Sequence, residues 1–198
     1  MIIDGLHKIL QFKVVLHGPG MSGKTTFIKS ILRRFGKEVL STESSIKRTL
    51  NCDYGVISIP FNNWELKVHL YTTAGAKYYQ VTRPVILSGC DGLIFIADSQ
   101  ESELINNVFS WKELSHYFKS ELKRIPKIIA FNKQDLSNKF EEERFLEQVK
   151  NDNLLNHEIL NTIAINETGT VEAFESLMDL IIKSFNILDF ISQIWDIY

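Results

Sequence analysis

A glycine-rich stretch between an apolar run and an amphipathic run constrains this chain more than any other feature. It matches G-x-x-x-x-G-K-[ST], and its flanks predict a strand over residues 12–17 and a helix over 24–34. In that context backbone N–H groups can surround a phosphate at the helix N-terminus. We therefore predict a phosphate-binding P-loop; the alternative is a strand-to-helix turn without a ligand. The motif consists of Gly18, Pro19, Gly20, Met21, Ser22, Gly23, Lys24 and Thr25, and we also expect Thr26, which follows it, to contact the ligand.

Two side chains of this loop have predicted chemical roles. We expect Lys24 to reach the β- and γ-phosphates of a nucleotide. We expect Thr25 to offer its hydroxyl to Mg²⁺. By itself the loop indicates that a phosphate group is bound, and it does not show which base the nucleotide carries.

Short apolar runs alternate along the chain with longer amphipathic runs, a pattern typical of βαβ units. The alternation predicts one α/β domain over residues 1–198, with helices on both faces of a six-stranded, mostly parallel sheet. Asn62 and Asn63 predict a two-residue turn, and so an antiparallel hairpin at one edge. Strands are predicted at 12–17, 56–60, 64–71, 92–97, 127–131 and 161–164, and helices at 24–34, 104–118, 141–149 and 171–185.

Composition excludes several classes of protein. There are 22 Lys and Arg against 24 Asp and Glu, a formal charge of -2, so bulk charge does not attract nucleic acid or anionic lipid. Cys52 and Cys90 lack the spacing of metal or redox sites. We find no secretory signal, apolar spanning run or common lipidation motif, so no membrane anchor is expected and the predicted location is the cytoplasm.

The tetrapeptide Asn132-Lys133-Gln134-Asp135 reads N-K-x-D and follows the predicted strand at 127–131. Open α/β sheets bind ligands at the carboxyl ends of their strands. A carboxylate at Asp135 can accept hydrogen bonds from N1–H and the 2-amino group of guanine, whereas adenine offers neither donor. The pattern therefore favours GTP over ATP. The alternative is that Asn132 and Asp135 form a turn and cap the next helix.

With both motifs in place, the chain resembles the Ras-like small GTPases, and most closely their MglA-type branch known from bacterial polarity and motility. The resemblance covers most of residues 12–185. It implies the P-loop NTPase fold of small GTPases, GTP and GDP with Mg²⁺, a nucleotide-dependent switch, and guanine contact from the backbone around Ala164 and Ile165. The matching segments are GPGMSGKTT at 18–26, STE at 41–43, RTL at 48–50, HLYTTAG at 69–75, LSGCDGLIFIADSQ at 87–100 and FNKQDL at 131–136.

The same resemblance implies roles for two neighbouring residues after the first helix. Thr49 resembles the threonine that binds Mg²⁺ when a γ-phosphate is present. Arg48 resembles an intrinsic arginine that MglA-type proteins move toward the phosphates, where its guanidinium would stabilise charge in the transition state. The alternative for both is a solvated loop pair.

Thr72 departs from most Ras-like proteins, which have Asp at this position near Mg²⁺, although the MglA-type branch also has Thr. We hypothesise that Asp53 supplies the missing carboxylate through water, because Mg²⁺ keeps several waters and tolerates outer-shell ligands. The alternative is that Asp53 is an ordinary turn residue before Tyr54.

Ala76 stands where related proteins place the Gln that orients the attacking water. A methyl group cannot orient water, so we predict slow intrinsic hydrolysis that a partner protein accelerates. Gly75 remains, and its backbone N–H could still detect a γ-phosphate. We interpret Arg83, which also has an MglA-type counterpart, as a structural residue beside Pro84 at a helix start.

The end of the chain, residues 186–198, predicts a short aromatic helix whose apolar side chains serve packing rather than a partner.

Three functions stay open. A GTP/GDP switch with slow hydrolysis is favoured, with a roadblock-fold protein as a partner that the resemblance makes plausible. A scaffold that holds nucleotide without hydrolysis is the second. A P-loop kinase is disfavoured by N-K-Q-D and by the lack of an Arg-rich lid segment.

Overall fold

A computed structural model describes residues 1–38, 52–75, 81–150 and 155–187. In these ranges helices lie on both faces of a central mixed sheet. The strands are β1 (Ile2–Asp4), β2 (Ile9–His17), β3 (Tyr54–Phe61), β4 (Trp64–Thr72), β5 (Gly92–Asp98), β6 (Lys127–Asn132) and β7 (His157–Asn161). The α-helices are α1 (Lys24–Arg34), α2 (Arg83–Leu87), α3 (Leu104–Phe118), α4 (Glu142–Val149) and α5 (Thr170–Ser184).

The sheet has the strand order β3-β4-β2-β5-β6-β7. All neighbours in this path are parallel except β3 and β4, which form an antiparallel hairpin through a turn at Asn62 and Asn63. Asn62 has a left-handed φ of 52°, a conformation that Asn tolerates better than most residues. The predicted mostly parallel sheet with an antiparallel edge hairpin is therefore confirmed. The additional strand β1, which the sequence did not predict, pairs with the first residues of β2.

Two apolar cores hold the layers together, one on each face of the sheet. On one face α1 and α5 pack their buried side chains against β2 and β4; on the other face α3 and α4 pack against β5 and β6. All residues of β5 and β6 are buried, which explains why both strands read as continuous apolar runs. Their carboxyl ends meet at one edge of the sheet, where polar residues follow.

All four predicted helices begin and end within one residue of the observed ones, and α1 and α3 begin and end at the predicted residues. The last predicted strand is wrong: β7 is His157–Asn161, and Ala164 begins a turn of 3₁₀-helix. Pairing with β6 ends at Asn161, opposite Phe131, so the chain beyond it is free to turn. This turn brings Ala164 beside Asn132.

In the ranges that the structure describes, no helix is both long and apolar enough to cross a bilayer. Most of the predicted aromatic helix at 186–198 lies outside the described residues, which end at Ile187. Ile187 itself is buried in the core beneath α5.

Candidate nucleotide site

The P-loop joins β2 to α1 through backbone conformations that require glycine. A Cβ atom on Gly18 would lie 2.2 Å from the carbonyl oxygen of Ile96, and one on Gly23 would lie 2.4 Å from Nδ2 of Asn132. Gly23 also has a φ of 102°, in a region that L-residues rarely adopt. The loop therefore packs its backbone against β5 and against the end of β6, which leaves its other side open.

Lys24 opens α1 and points back along the loop. Its Nζ atom donates to the carbonyl oxygens of Gly18 at 2.9 Å and Pro19 at 2.6 Å, and only 7% of the residue is exposed. Burial, followed by the positive charge of Arg83, lowers the pKa of Lys24 to about 8. A buried ammonium in this position would be stabilised by an anion, because an opposite charge favours the charged form.

Three oxygen-bearing side chains converge beside Lys24. The hydroxyl of Thr25 donates to the Asp53 carboxylate at 2.6 Å, and the hydroxyl of Thr72 donates to the same oxygen at 3.0 Å. The backbones of Asp53 and Thr72 are also joined, with Thr72 N–H donating to the Asp53 carbonyl at 2.9 Å. Hydroxyl and carboxylate oxygens are the donors that Mg²⁺ prefers, so this set fits the predicted metal.

A cavity of about 600 Å³ opens above the P-loop and these oxygens. The loop that carries Gly75 forms its far wall. This wall is close to the P-loop, because a Cβ on Gly75 would lie 2.7 Å from Cα of Gly20 and 3.1 Å from Nζ of Lys24. The cavity therefore has backbone on two sides and one lysine ammonium at its base, an environment suited to phosphate groups.

A second cavity of about 310 Å³ lies on the other side of the loop. Asn132 organises it: Nδ2 donates to the Ser22 carbonyl at 2.8 Å, while Oδ1 accepts from the backbone N–H of Ala164 at 2.9 Å and from the Thr162 hydroxyl at 3.2 Å. Asn132 therefore links the P-loop to the chain after β7 and does not cap α4. The lining residues are Met21, Gly23, Thr26, Asn132, Lys133, Asp135, Leu136, Ala164 and Ile165.

The two cavities share Met21, Gly23 and Thr26 as lining residues. One ligand could therefore extend from the base of the first cavity to the end of the second. Asp135 supplies a carboxylate at one end, and Lys24 supplies an ammonium at the other. A ligand that has donors at its head and anionic groups at its tail matches this distribution of charge.

The loop from Thr73 to Gly75 is held by two buried side chains. His17 contacts the Thr73 hydroxyl with Nδ1 at 2.9 Å and the hydroxyl of Ser110 on α3 with Nε2 at 3.2 Å. Burial, then the charges of Lys24 and Arg83, lowers the pKa of His17 well below 6.5, so the ring is neutral at neutral pH.

Arg83, at the first position of α2, is the second of these side chains. Its guanidinium donates to the carbonyl oxygens of Ala74 at 2.9 Å and Gly75 at 3.0 Å and pairs with Glu113 on α3. Only 5% of Arg83 is exposed. The structural interpretation of Arg83 therefore holds, and the sequence did not indicate how directly it restrains the wall of the phosphate cavity.

Most of the predicted site residues come together around these two cavities. The side chain of Ser22 is fully buried away from both, so that residue can offer only its backbone. Arg48, Thr49 and Ala76 lie outside the described residues. Asp98, which ends β5 and forms an ion pair with Lys133 of the second cavity, was not singled out from the sequence. The signal was available, because a polar residue directly after an apolar strand is what singled out Asn132.

Comparison with known proteins decides the family. A family model described as "Ras family" matches residues 13–183. The gliding-motility protein MglA of Myxococcus xanthus is 29% identical over 177 residues, covering 85% of this chain and 91% of MglA. The chain belongs to the Ras family. Mouse Rab-3C is 27% identical over 174 residues, covering 86% of the chain and 71% of Rab-3C, and RABA4b of Arabidopsis thaliana is 26% identical over 177 residues, covering 88% and 74%.

These findings confirm the resemblance to Ras-like and MglA-type proteins that the motifs indicated. As a Ras-family protein the chain is a small GTP-binding protein of the switch type, in a family whose members hydrolyse GTP and generally use Mg²⁺. The two cavities around the P-loop are therefore the candidate nucleotide site.

Proposed function

We propose that this Ras-family protein is a GTP/GDP switch with slow intrinsic hydrolysis that a partner protein accelerates. The observation that carries the proposal is the continuity of the two cavities across Gly23 and Thr26. One cavity presents Lys24 and backbone to a phosphate chain, and the other presents Asp135 to a purine.

In the proposal each part of the nucleotide meets its own group of residues. The amides from Gly20 to Thr26 and the Lys24 ammonium bind the phosphates. Thr25 binds Mg²⁺ directly, and Asp53 acts through water. The metal would neutralise charge on the β- and γ-phosphates. Asp135 accepts from guanine, with Asn132, Ala164 and Ile165 forming the rest of the base site.

The nucleotide state would be read by two segments near the γ-phosphate. Thr49 joins the metal only when that phosphate is present, and the Gly75 amide turns toward it. In the described structure Gly75 already lies beside Gly20 and Lys24, and its carbonyl is held by Arg83. A small movement of this loop would therefore bring the Gly75 amide within reach of a phosphate.

Slow hydrolysis follows from Ala76, which replaces the Gln that orients water in related proteins. Arg48 is the proposed catalytic cation, and a partner that orders it or adds its own group would accelerate hydrolysis by about 10³ to 10⁵. An Arg48→Ala variant should lose this acceleration in single-turnover assays with the partner present. Unchanged hydrolysis in that variant would remove Arg48 from the mechanism.

A second function has support from two residues. Ala76 lacks a catalytic side chain, and the Thr72 hydroxyl is already engaged with Asp53. A scaffold that holds GTP or GDP without hydrolysing it is compatible with both features. Absence of phosphate release over many hours, with Mg²⁺ and stoichiometric bound GTP, would favour the scaffold.

The deciding experiment compares the affinities of GTP, GDP, ATP and GMP with and without Mg²⁺, together with GTP turnover by the same preparation. We expect GTP and GDP to bind far more tightly than ATP, and GMP to bind weakly because it cannot occupy the Lys24 end. Equal affinity for adenine and guanine nucleotides would overturn the proposal. We also propose a cytoplasmic location and a roadblock-fold regulator. Capture of such a regulator on the GTP-loaded protein would test the second of these proposals.

A further inference from the structure

Asp98 forms an ion pair with Lys133, and the proposed function assigns no role to this pair. Its carboxylate accepts from Nζ of Lys133 at 2.5 Å, and the Asp98 side chain is 3% exposed against 28% for Lys133. Lys133 lines the base cavity, whereas Asp98 does not. The pair therefore connects a buried anion to one wall of that cavity.

The backbone of Asp98 is fixed from two sides. Asp98 is the last residue of β5 and lies opposite Asn132 of β6 in the parallel ladder. On the other side, Asn107 of α3 accepts from the Asp98 N–H at 2.9 Å and donates to its carbonyl at 2.7 Å. A backbone held by a neighbouring strand and a helix leaves little freedom to the attached carboxylate.

The carboxylate itself is oriented by Gln100. The backbone N–H of Gln100 donates to Oδ1 of Asp98 at 3.1 Å, and its side-chain Nε2 lies 3.1 Å from each carboxylate oxygen. With Lys133 these donors occupy both oxygens of a group that is almost wholly buried. Hydrogen bonds to an ionised group are stronger than neutral ones, so the arrangement is stable.

Lys133 has a left-handed φ of 66°, which is uncommon for a residue with a side chain. Lys133 lines the base cavity together with Asp135, and its ammonium donates to Asp98. Without that anion the long side chain would be free to sample many rotamers, and nucleotide binding would have to order it again. A partly buried ammonium without its partner would also carry a desolvation penalty.

We infer that Asp98 is a positioning residue of the base site, holding Lys133 as a preformed wall for the purine. The inference rests on the proposed guanine-nucleotide function. It predicts that loss of the Asp98 charge weakens retention of the base and leaves the phosphate chemistry at Lys24 and Thr25 untouched.

The test measures dissociation of fluorescent GDP from the full chain with Mg²⁺. We expect Asp98→Asn to release GDP about 10- to 100-fold faster, the factor associated with one hydrogen bond to a charged group. Glu101→Gln is the matched control, because it removes a nearby negative charge whose pair with Arg144 is exposed. Glu101→Gln should match the unmodified protein both in GDP release and in the single-turnover rate of GTP hydrolysis.

A double-mutant cycle separates positioning from general support of the fold. If Asp98 acts through Lys133, Asp98→Asn should have no further effect on GDP dissociation in a Lys133→Met background. Equal effects of Asp98→Asn in both backgrounds, or an unchanged rate in the single variant, would overturn the inference. If Asp98→Asn lowers the melting temperature of the nucleotide-free protein so far that it does not fold, Gln100→Met replaces it and should accelerate release only when Lys133 is present.

The outcomes also distinguish this inference from the function on which it rests. If the unmodified protein binds no guanine nucleotide, the proposed function fails. If the unmodified protein binds GDP tightly and Asp98→Asn behaves like Glu101→Gln, only the role of Asp98 fails.

Discussion

The Thr25 hydroxyl and the Asp53 carboxylate, 28 residues apart in sequence, meet at 2.6 Å beside the P-loop. Thr25 is the second residue of α1, and Asp53 precedes β3 at the edge of the sheet. Thr72 joins them from the end of β4. Three segments therefore contribute oxygen atoms to one point, and this arrangement supports the proposed magnesium site.

We predict that Asp53→Asn raises the Mg²⁺ concentration needed to retain GDP by about 10- to 100-fold, the usual effect of losing an outer-shell partner. GDP dissociation measured across a Mg²⁺ titration would show the shift. Asp179→Asn on the exposed face of α5 removes the same charge far from the loop and should match the unmodified protein. If both variants follow the same Mg²⁺ curve, Asp53 is only a turn residue.

The carboxylate of Asp135 is predicted to select the base. Asp135→Asn should weaken GDP binding roughly 10- to 100-fold, because an amide cannot accept from both guanine donors. The same variant should improve binding of xanthosine diphosphate, since the amide N–H can donate to the oxygen at position 2 of xanthine. Calorimetry with both nucleotides checks this, with Glu141→Gln, exposed at the start of α4, as the control. A variant with unchanged preference would place the purine elsewhere.

Proton uptake on nucleotide binding should report Lys24. Its pKa is lowered to about 8 by burial and by Arg83, and a bound phosphate raises it again. GDP binding at pH 8 should therefore take up roughly half a proton, and less at pH 6.5, where Lys24 is already protonated. Calorimetry in buffers of different ionisation enthalpy measures the uptake.

Lys127 offers a control for this experiment, because burial lowers its pKa to about 8 as well. It lies at the opposite end of β6 from Asn132, away from the phosphate cavity. Lys127→Met should keep the proton uptake of the unmodified protein. Loss of uptake in that variant, or none in the unmodified protein at pH 8, would contradict the role of Lys24.

Acid sensitivity of the fold should depend on His17. Because the folded pKa lies well below 6.5, the unfolded chain binds a proton that the folded chain does not. Stability should therefore fall as pH drops below about 6.5, by up to about 1.4 kcal/mol per pH unit from this residue. Urea unfolding at several pH values should show a shallower acid slope for His17→Gln. His116→Gln, exposed on α3, should keep the slope, and a His17→Gln slope equal to it would disprove the assignment.

Local patterns in the sequence were sufficient for the elements and for both motifs. Helices α1 and α3 begin and end at the predicted residues, because their apolar spacing is regular and α1 starts directly at the glycine loop. The last strand was misplaced, because its end depends on where pairing with β6 stops. The point at which pairing stops depends on both strands together, so the composition of one strand does not reveal it.

In the candidate site, too, some features follow from the sequence and others only from the fold. The sequence alone determined that a P-loop and an N-K-x-D motif stand at the carboxyl ends of two strands, since glycine conformation and hydrogen-bonding chemistry are properties of single residues and short spacings. Only the tertiary structure decided that Asp98 meets Lys133, 35 residues away, that Arg83 holds the carbonyl of Gly75, and that Thr25 meets Asp53. These contacts depend on strand register and on how helices pack over the sheet, and both are set by the burial of the whole core.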